Sequence, residues 1–165
     1  MMMKVLLQGG ADPRITQKDG TTVAMIATSA RGQRVYAAAA SVQTPATEED
    51  ALAALKLIVN SSKDIDLGAA NINGQTALHN AAARGADTIV KYLVEKGARL
   101  DVKDRLDRMP IDMARGVGRT GRGNAPQVHE STTALLSELM TSQGIPVPPA
   151  PSPGPSPARP ASAQQ

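Results

Sequence analysis

The stretch Asn71-Ile72-Asn73-Gly74-Gln75-Thr76-Ala77-Leu78-His79-Asn80-Ala81-Ala82-Ala83-Arg84-Gly85 decides how this chain folds. Asn-Gly marks a tight turn, because both residues tolerate positive φ. The Ala-rich run after Thr76 favours a short helix. Gly85, just past the last turn, suits the left-handed conformation that ends a helix, and Arg84 suits its dipole. A second helix follows, with Ile89, Val90, Leu93 and Val94 on one face, and stops at Gly97-Ala98. Turn, inner helix, outer helix, turn is one unit.

The unit recurs on both sides. An apolar helix end leads to a new short helix from Leu7 to Thr22, from Val59 to Thr76 and from Val94 to Met109, at separations of 15, 17 and 15 residues. Between them lie polar, turn-rich stretches such as Lys18-Asp19-Gly20 and Asp101 to Arg108. The short helices close on Ala30-Arg31-Gly32, Ala83-Arg84-Gly85 and Ala114-Arg115-Gly116. The outer-helix stripe Ile89, Val90, Leu93, Val94 returns as Leu135, Leu136, Leu139, Met140, an offset of 46, and Leu52, Leu55, Ile58 and Val59 form a comparable stripe. Thr47 and Asp50 form a capping box for that earlier helix.

From Ala77 to Pro110 the period is 33. With Gly74-Gln75-Thr76-Ala77-Leu78-His79-Asn80-Ala81-Ala82 and Ile89 to Ala98, this resembles the ankyrin repeat. Asn71 to Asp104 matches closely, whereas Gly20 to Met25 and Met109 to Ala114 match in part. Leu6 to Asp12 resembles the tail of an outer helix. The resemblance implies an all-α solenoid of about three repeats and an N-terminal half-repeat over residues 1–143. Met25 and Asp112 stand where His79 does, so the Thr–His hydrogen bond of the family motif forms once. Insertions near 33–47 and 117–129 break the period at the same inner-to-outer junction, and residues 33–40 are expected to extend their inner helix. Residues 144–165, rich in Pro, Ala and Ser with Arg159 as the one charge, predict a disordered spacer tail. Pro148-Pro149-Ala150-Pro151 is also a Pro-x-x-Pro sequence, without the flanking basic residue that sets orientation.

Bulk properties fit such a stack. There is no Trp or Phe and there are two Tyr, so small helices approach closely rather than packing on aromatic anchors. A formal charge of +3 does not by itself imply a polyanionic partner. Without Cys there is no disulfide framework or thiolate zinc site. No apolar run approaches the roughly 20 residues of a membrane-spanning helix, and the first residues lack a signal-peptide core. A cytoplasmic location is the default expectation; a start further upstream would allow a secreted or periplasmic one. Val5, Leu6 and Leu7 begin inside an outer helix with no inner partner. That predicts the carboxyl-terminal part of a longer array, and a monomer or a weak dimer through the open edge.

No catalytic constellation or cofactor site is legible. Gly116-Val117-Gly118-Arg119-Thr120-Gly121 fits Gly-x-Gly-x-x-Gly, but a helix precedes it, so it is a loop and not a nucleotide fold. Its arginines, Arg115, Arg119 and Arg122, are candidate phosphate contacts; with no aromatic ring interleaved, nucleic-acid binding is disfavoured. His79 and His129 share no acidic partner, which argues against zinc; His129 is a candidate cap for the last helix. Asp64 to Gly68 opens like a calcium loop, but Gln75 stands where the bidentate Glu belongs. Asn60-Ser61-Ser62 is a sequon that matters only in a secreted eukaryotic chain. The resemblance implies a protein partner held by turn fingers and inner helices. The variable positions map to Lys18, Asp19 and Thr21; to Ile72, Asn73, Gln75, Asn80 and Arg84; and to Arg105, Leu106 and Arg108, all expected to be exposed. An adaptor or scaffold is the first expectation, and an accessory module of a larger enzyme or secreted array the second.

Overall fold

In the computed structural model, residues 12–29, 47–61, 65–117 and 127–150 are described. They form two layers of helices. The inner layer holds α1 (Val23–Ser29), α3 (Ala77–Arg84) and α5 (Pro110–Ala114). The outer layer holds α2 (Glu48–Ser61), α4 (Asp87–Glu95) and α6 (Glu130–Ser142). Each inner helix packs on its own outer helix; α3 also packs between α1 and α5, and α4 between α2 and α6. Among the described residues, β pairing is limited to an isolated antiparallel bridge between Thr16 and Thr22.

The small side chains set the spacing. Ala24, Ala77, Ala81, Ala82 and Ala114 are buried, so the inner helices approach closely enough for Met25, Leu78 and Ile111 to interlock. Leu55, Ile89, Val90, Leu93, Leu136 and Met140 fill the outer layer, and all of these side chains belong to one continuous core. The first turns of the outer helices are pinned to one another by polar groups. The Thr88 amide donates to Glu48 Oε1 at 3.0 Å, with the Thr88 hydroxyl on the same oxygen, and the Thr132 hydroxyl donates to Asp87. Tyr92 on α4 lies between two ammonium groups, Lys56 Nζ at 5.8 Å and Lys96 Nζ at 5.6 Å from its ring centre.

Helix ends follow the expected chemistry. Thr47 and Asp50 cap each other at α2: the Asp50 amide donates to Thr47 Oγ1 at 3.1 Å and the Thr47 amide to Asp50 Oδ2 at 3.3 Å. Gly85 and Gly116 take φ of +77° and +78°, so two of the three Ala-Arg-Gly segments do end inner helices. The third, with the extension at 33–40, lies outside the described residues, as do the N-terminal half-repeat and most of both insertions. The third inner helix is short: α5 begins 33 residues after α3 but lacks its last turn.

The outer-helix offset of 46 is corrected to 47. The Ala98 amide donates to the Leu93 carbonyl at 2.9 Å, and the Ile145 amide to the Met140 carbonyl at 2.8 Å, so Leu93 corresponds to Met140 and Ile89 to Leu136. Leu136 and Met140 are fully buried, whereas Leu135 and Leu139 pack at the margin of the core. Adjacent apolar pairs made both registers acceptable on a helical face; the C-terminal cap selects one. His129 occupies the N-cap position of α6, but its side chain makes no cap hydrogen bond. Its ring instead fills the space beside Gly85, where an added Cβ would lie 2.3 Å from Nδ1.

Candidate functional site

Three turn fingers precede the three inner helices, in matching registers that start at Gln17, Asn71 and Asp104. The same backbone bonds close each finger. The amides of Gln17, Asn71 and Asp104 donate to the carbonyls of Thr21, Gln75 and Arg108 at 2.9, 3.0 and 2.9 Å. The amides of Gly20, Gly74 and Asp107 donate back to Gln17, Asn71 and Asp104 at 2.9, 2.8 and 3.0 Å. This fourth position needs positive φ, with values of +78°, +75° and, for Asp107, +60°. Fingers also hang on one another. The Ile72 amide donates to the Asp19 carbonyl at 2.7 Å, and the Arg105 amide to the Asn73 carbonyl at 2.9 Å.

Two side chains brace the fingers from within, and sequence reasoning did not single them out. Asn71 Oδ1 accepts the amides of Asn73 (2.9 Å) and Gln75 (3.1 Å). Asp104 Oδ1 accepts those of Leu106 (2.9 Å) and Arg108 (3.0 Å). Their shared register, 33 residues apart, was the available signal. In the first finger Asp19 takes over part of this task, binding the amide and hydroxyl of Thr21 at 3.0 and 2.8 Å; those bonds hold its carboxyl below the usual range.

His79 ties the second repeat to the third. The Thr76 amide donates to Nδ1 at 3.2 Å, so the ring proton sits on Nε2, which donates to the Arg108 carbonyl at 3.1 Å. The Thr76 hydroxyl lies 3.0 Å from Nδ1. Burial pushes the His79 pKa down, against the backbone bond to Arg108 and the attraction of Asp104, which favour the charged ring. In the next repeat Asp112 performs the capping half of this task, accepting the Met109 amide at 3.0 Å.

The expected interaction positions divide. Lys18, Asp19, Ile72, Asn73, Arg105 and Leu106 are exposed at the finger tips, with Ile72 54 % and Leu106 69 % exposed. Thr21, Gln75, Asn80, Arg84 and Arg108 are half-buried, which corrects the expectation of exposure. Asn80 donates its amide to the Met25 carbonyl at 3.3 Å, joining the first two inner helices. Arg108 forms a two-point pair with Asp104, at 2.6 and 2.9 Å, and reaches the Val117 carbonyl at 3.3 Å. Burial works against Asp104 ionising, but bonds from the Arg108 side chain and backbone and the Leu106 amide outweigh it and hold the carboxyl below the usual range. Arg115, a candidate phosphate contact, is engaged within the chain. Its guanidinium lies 3.5 Å from Asp112 and donates to the carbonyls of Pro148 (2.9 Å) and Pro149 (3.3 Å). Arg119 and Arg122 lie outside the described residues. Among the described residues, no cluster of His, Asp or Glu could hold a metal ion, and no helix is long and apolar enough to cross a membrane.

A family model of ankyrin repeats in three copies matches residues 1–104. A protein of Borreliella burgdorferi named for its ankyrin repeats is 38% identical over 60 residues, covering 34% of this chain and 14% of that protein. The chain thus spans 14% of the length of this relative. The fingers, the cap at Thr76 and the paired helix layers are what such a match describes, and the structure carries the same plan past residue 104 into α5 and α6. The chain belongs to the ankyrin repeat family.

Proposed function

We propose that this chain is an adaptor that holds a protein partner across its finger tips. Ankyrin repeats are generally protein–protein interaction modules and are typically non-catalytic. The observation that carries the reading is the hydrogen-bonded row of fingers, which sets Lys18, Ile72, Asn73, Arg105 and Leu106 side by side and exposed. Two large apolar side chains at neighbouring tips, Ile72 and Leu106, are exposed and lie outside the core, and apolar anchors between polar neighbours suit a protein surface. The half-buried Arg108 and Asn80 shape this face from beneath.

Affinity capture with the full chain and with an Ile72→Asp/Leu106→Asp variant tests the reading. Both side chains are exposed, so circular dichroism should be unchanged, while recovery of the partners should fall at least about tenfold. Equal recovery of the same partners by the variant would refute it.

A further inference from the structure

The start of the Pro-rich segment is built into the stack. Gly144 takes φ of +70° and Ile145 donates to Met140, repeating the cap of Gly97 and Ala98 on α4. Ile145 packs against the core. In this register residues 144–149 occupy the places of Gly97 to Val102, the path that leads from α4 into the third finger. Asp104, two residues further along that path, donates its amide to Arg108 and braces the finger with its carboxylate. Pro151 stands at the corresponding place in the sequence and offers neither group. The path toward another finger is therefore begun without the groups that would complete one.

Something else must then hold this segment. Pro146, Pro148 and Pro149 have carbonyl acceptors and no amide donors, so no ladder of backbone bonds can form from both sides. A guanidinium has the complementary character, donors only. Arg115 is 87 % enclosed in the side-chain sense, at 13% relative exposure, and places Nη1 at 2.9 Å from the Pro148 carbonyl and 3.3 Å from that of Pro149. Asp112, which caps α5, lies against the same guanidinium. Fixed φ at the prolines lowers the entropy lost on docking.

We propose that residues 145–150 are a strap that stands in for a further repeat on the carboxyl side of α5 and α6, with Arg115 as its clamp. The strap covers the end of the last helical pair and fixes the point from which the Pro-rich tail departs.

The chain has no Cys, so Ala150→Cys gives a single attachment point for a nitroxide spin label. In the native full-length chain its rotation should be several-fold slower than in the same chain unfolded in urea. Arg115→Gln should speed it toward the unfolded value and lower the thermal midpoint by a few degrees, and Arg115→Lys, with its single ammonium, should fall between. If Arg115→Gln proves poorly folded, Pro148→Gly with Pro149→Gly leaves Arg115 and Asp112 in place and should release the label in the same way. A label as free in the native chain as in urea overturns the strap. A slow label that neither Arg115→Gln nor the glycine pair releases overturns the clamp.

Discussion

At the scale of single residues, His79 carries the most demanding chemistry. It is fully buried, and its two ring nitrogens serve different repeats: Nδ1 accepts from Thr76 and Nε2 donates to Arg108. The first bond requires the neutral ring, because a protonated Nδ1 cannot accept the Thr76 amide. Below a pH of about 6.5 the unfolded chain binds a proton at this position that the folded chain resists. The stability contributed by His79 is therefore complete above that pH and declines as pH falls from there through the depressed folded value. Urea unfolding at pH 7.5, 6.5 and 5.5 should show this slope. His79→Asn should be less stable at pH 7.5 by about 1–3 kcal/mol, since a buried bond is lost, and should show a shallower loss toward pH 5.5. Identical slopes for both chains would remove His79 from the account.

At the scale of elements, the fingers are specified by a few backbone positions. Gly74 has φ of +75°, and an added Cβ would lie 3.0 Å from the Asp104 and Arg105 backbone, so Gly74→Ala should cost about 1–2 kcal/mol or more. Asp107 holds the same position with φ of +60°, and its ion pair with Lys103 is exposed. Asp107→Gly should raise stability by up to about 1 kcal/mol, because such a surface pair adds little. Denaturant midpoints check both signs, and a destabilised Asp107→Gly would contradict the argument. Much of this was legible beforehand. Gly20, Gly74, the Thr47–Asp50 cap and the closing glycines at 85 and 116 each announce a local geometry. The left-handed Asp107 was not legible, because Asp carries no such demand on its own. Arg108 read as exposed by the logic of the repeat and Arg115 as a candidate phosphate contact, although carboxylates four and three residues away, Asp104 and Asp112, offered a hint of pairing within the chain. The composition of the tail hid Ile145, a half-buried residue packed against the core at the head of a spacer.

At the scale of the molecule, one core runs through all six described helices, so the repeats stand or fall with their neighbours. Leu93 sits in the middle of the outer layer and is fully buried. Leu93→Ala should cost about 2–5 kcal/mol and lower hydrogen-exchange protection in α2 and α6 as well as in α4. Loss of protection confined to α4 would show that the repeats are uncoupled. The continuity of this core was foreseeable from period and pattern, whereas its exact register along α6 was not, since Leu135-Leu136 and Leu139-Met140 satisfy two alignments.

The ring of Tyr92, clasped between Lys56 of one outer helix and Lys96 at the end of the next, makes the protein its own gauge. In a chain without Trp, near-ultraviolet signals come from Tyr36 and Tyr92 alone. The local field at Tyr92 is set by two ammonium groups, one from α2 and one from the end of α4, so its absorbance and emission register the gap between these neighbouring outer helices. Parting of neighbouring repeats is thereby visible in an ordinary spectrometer, without any added dye.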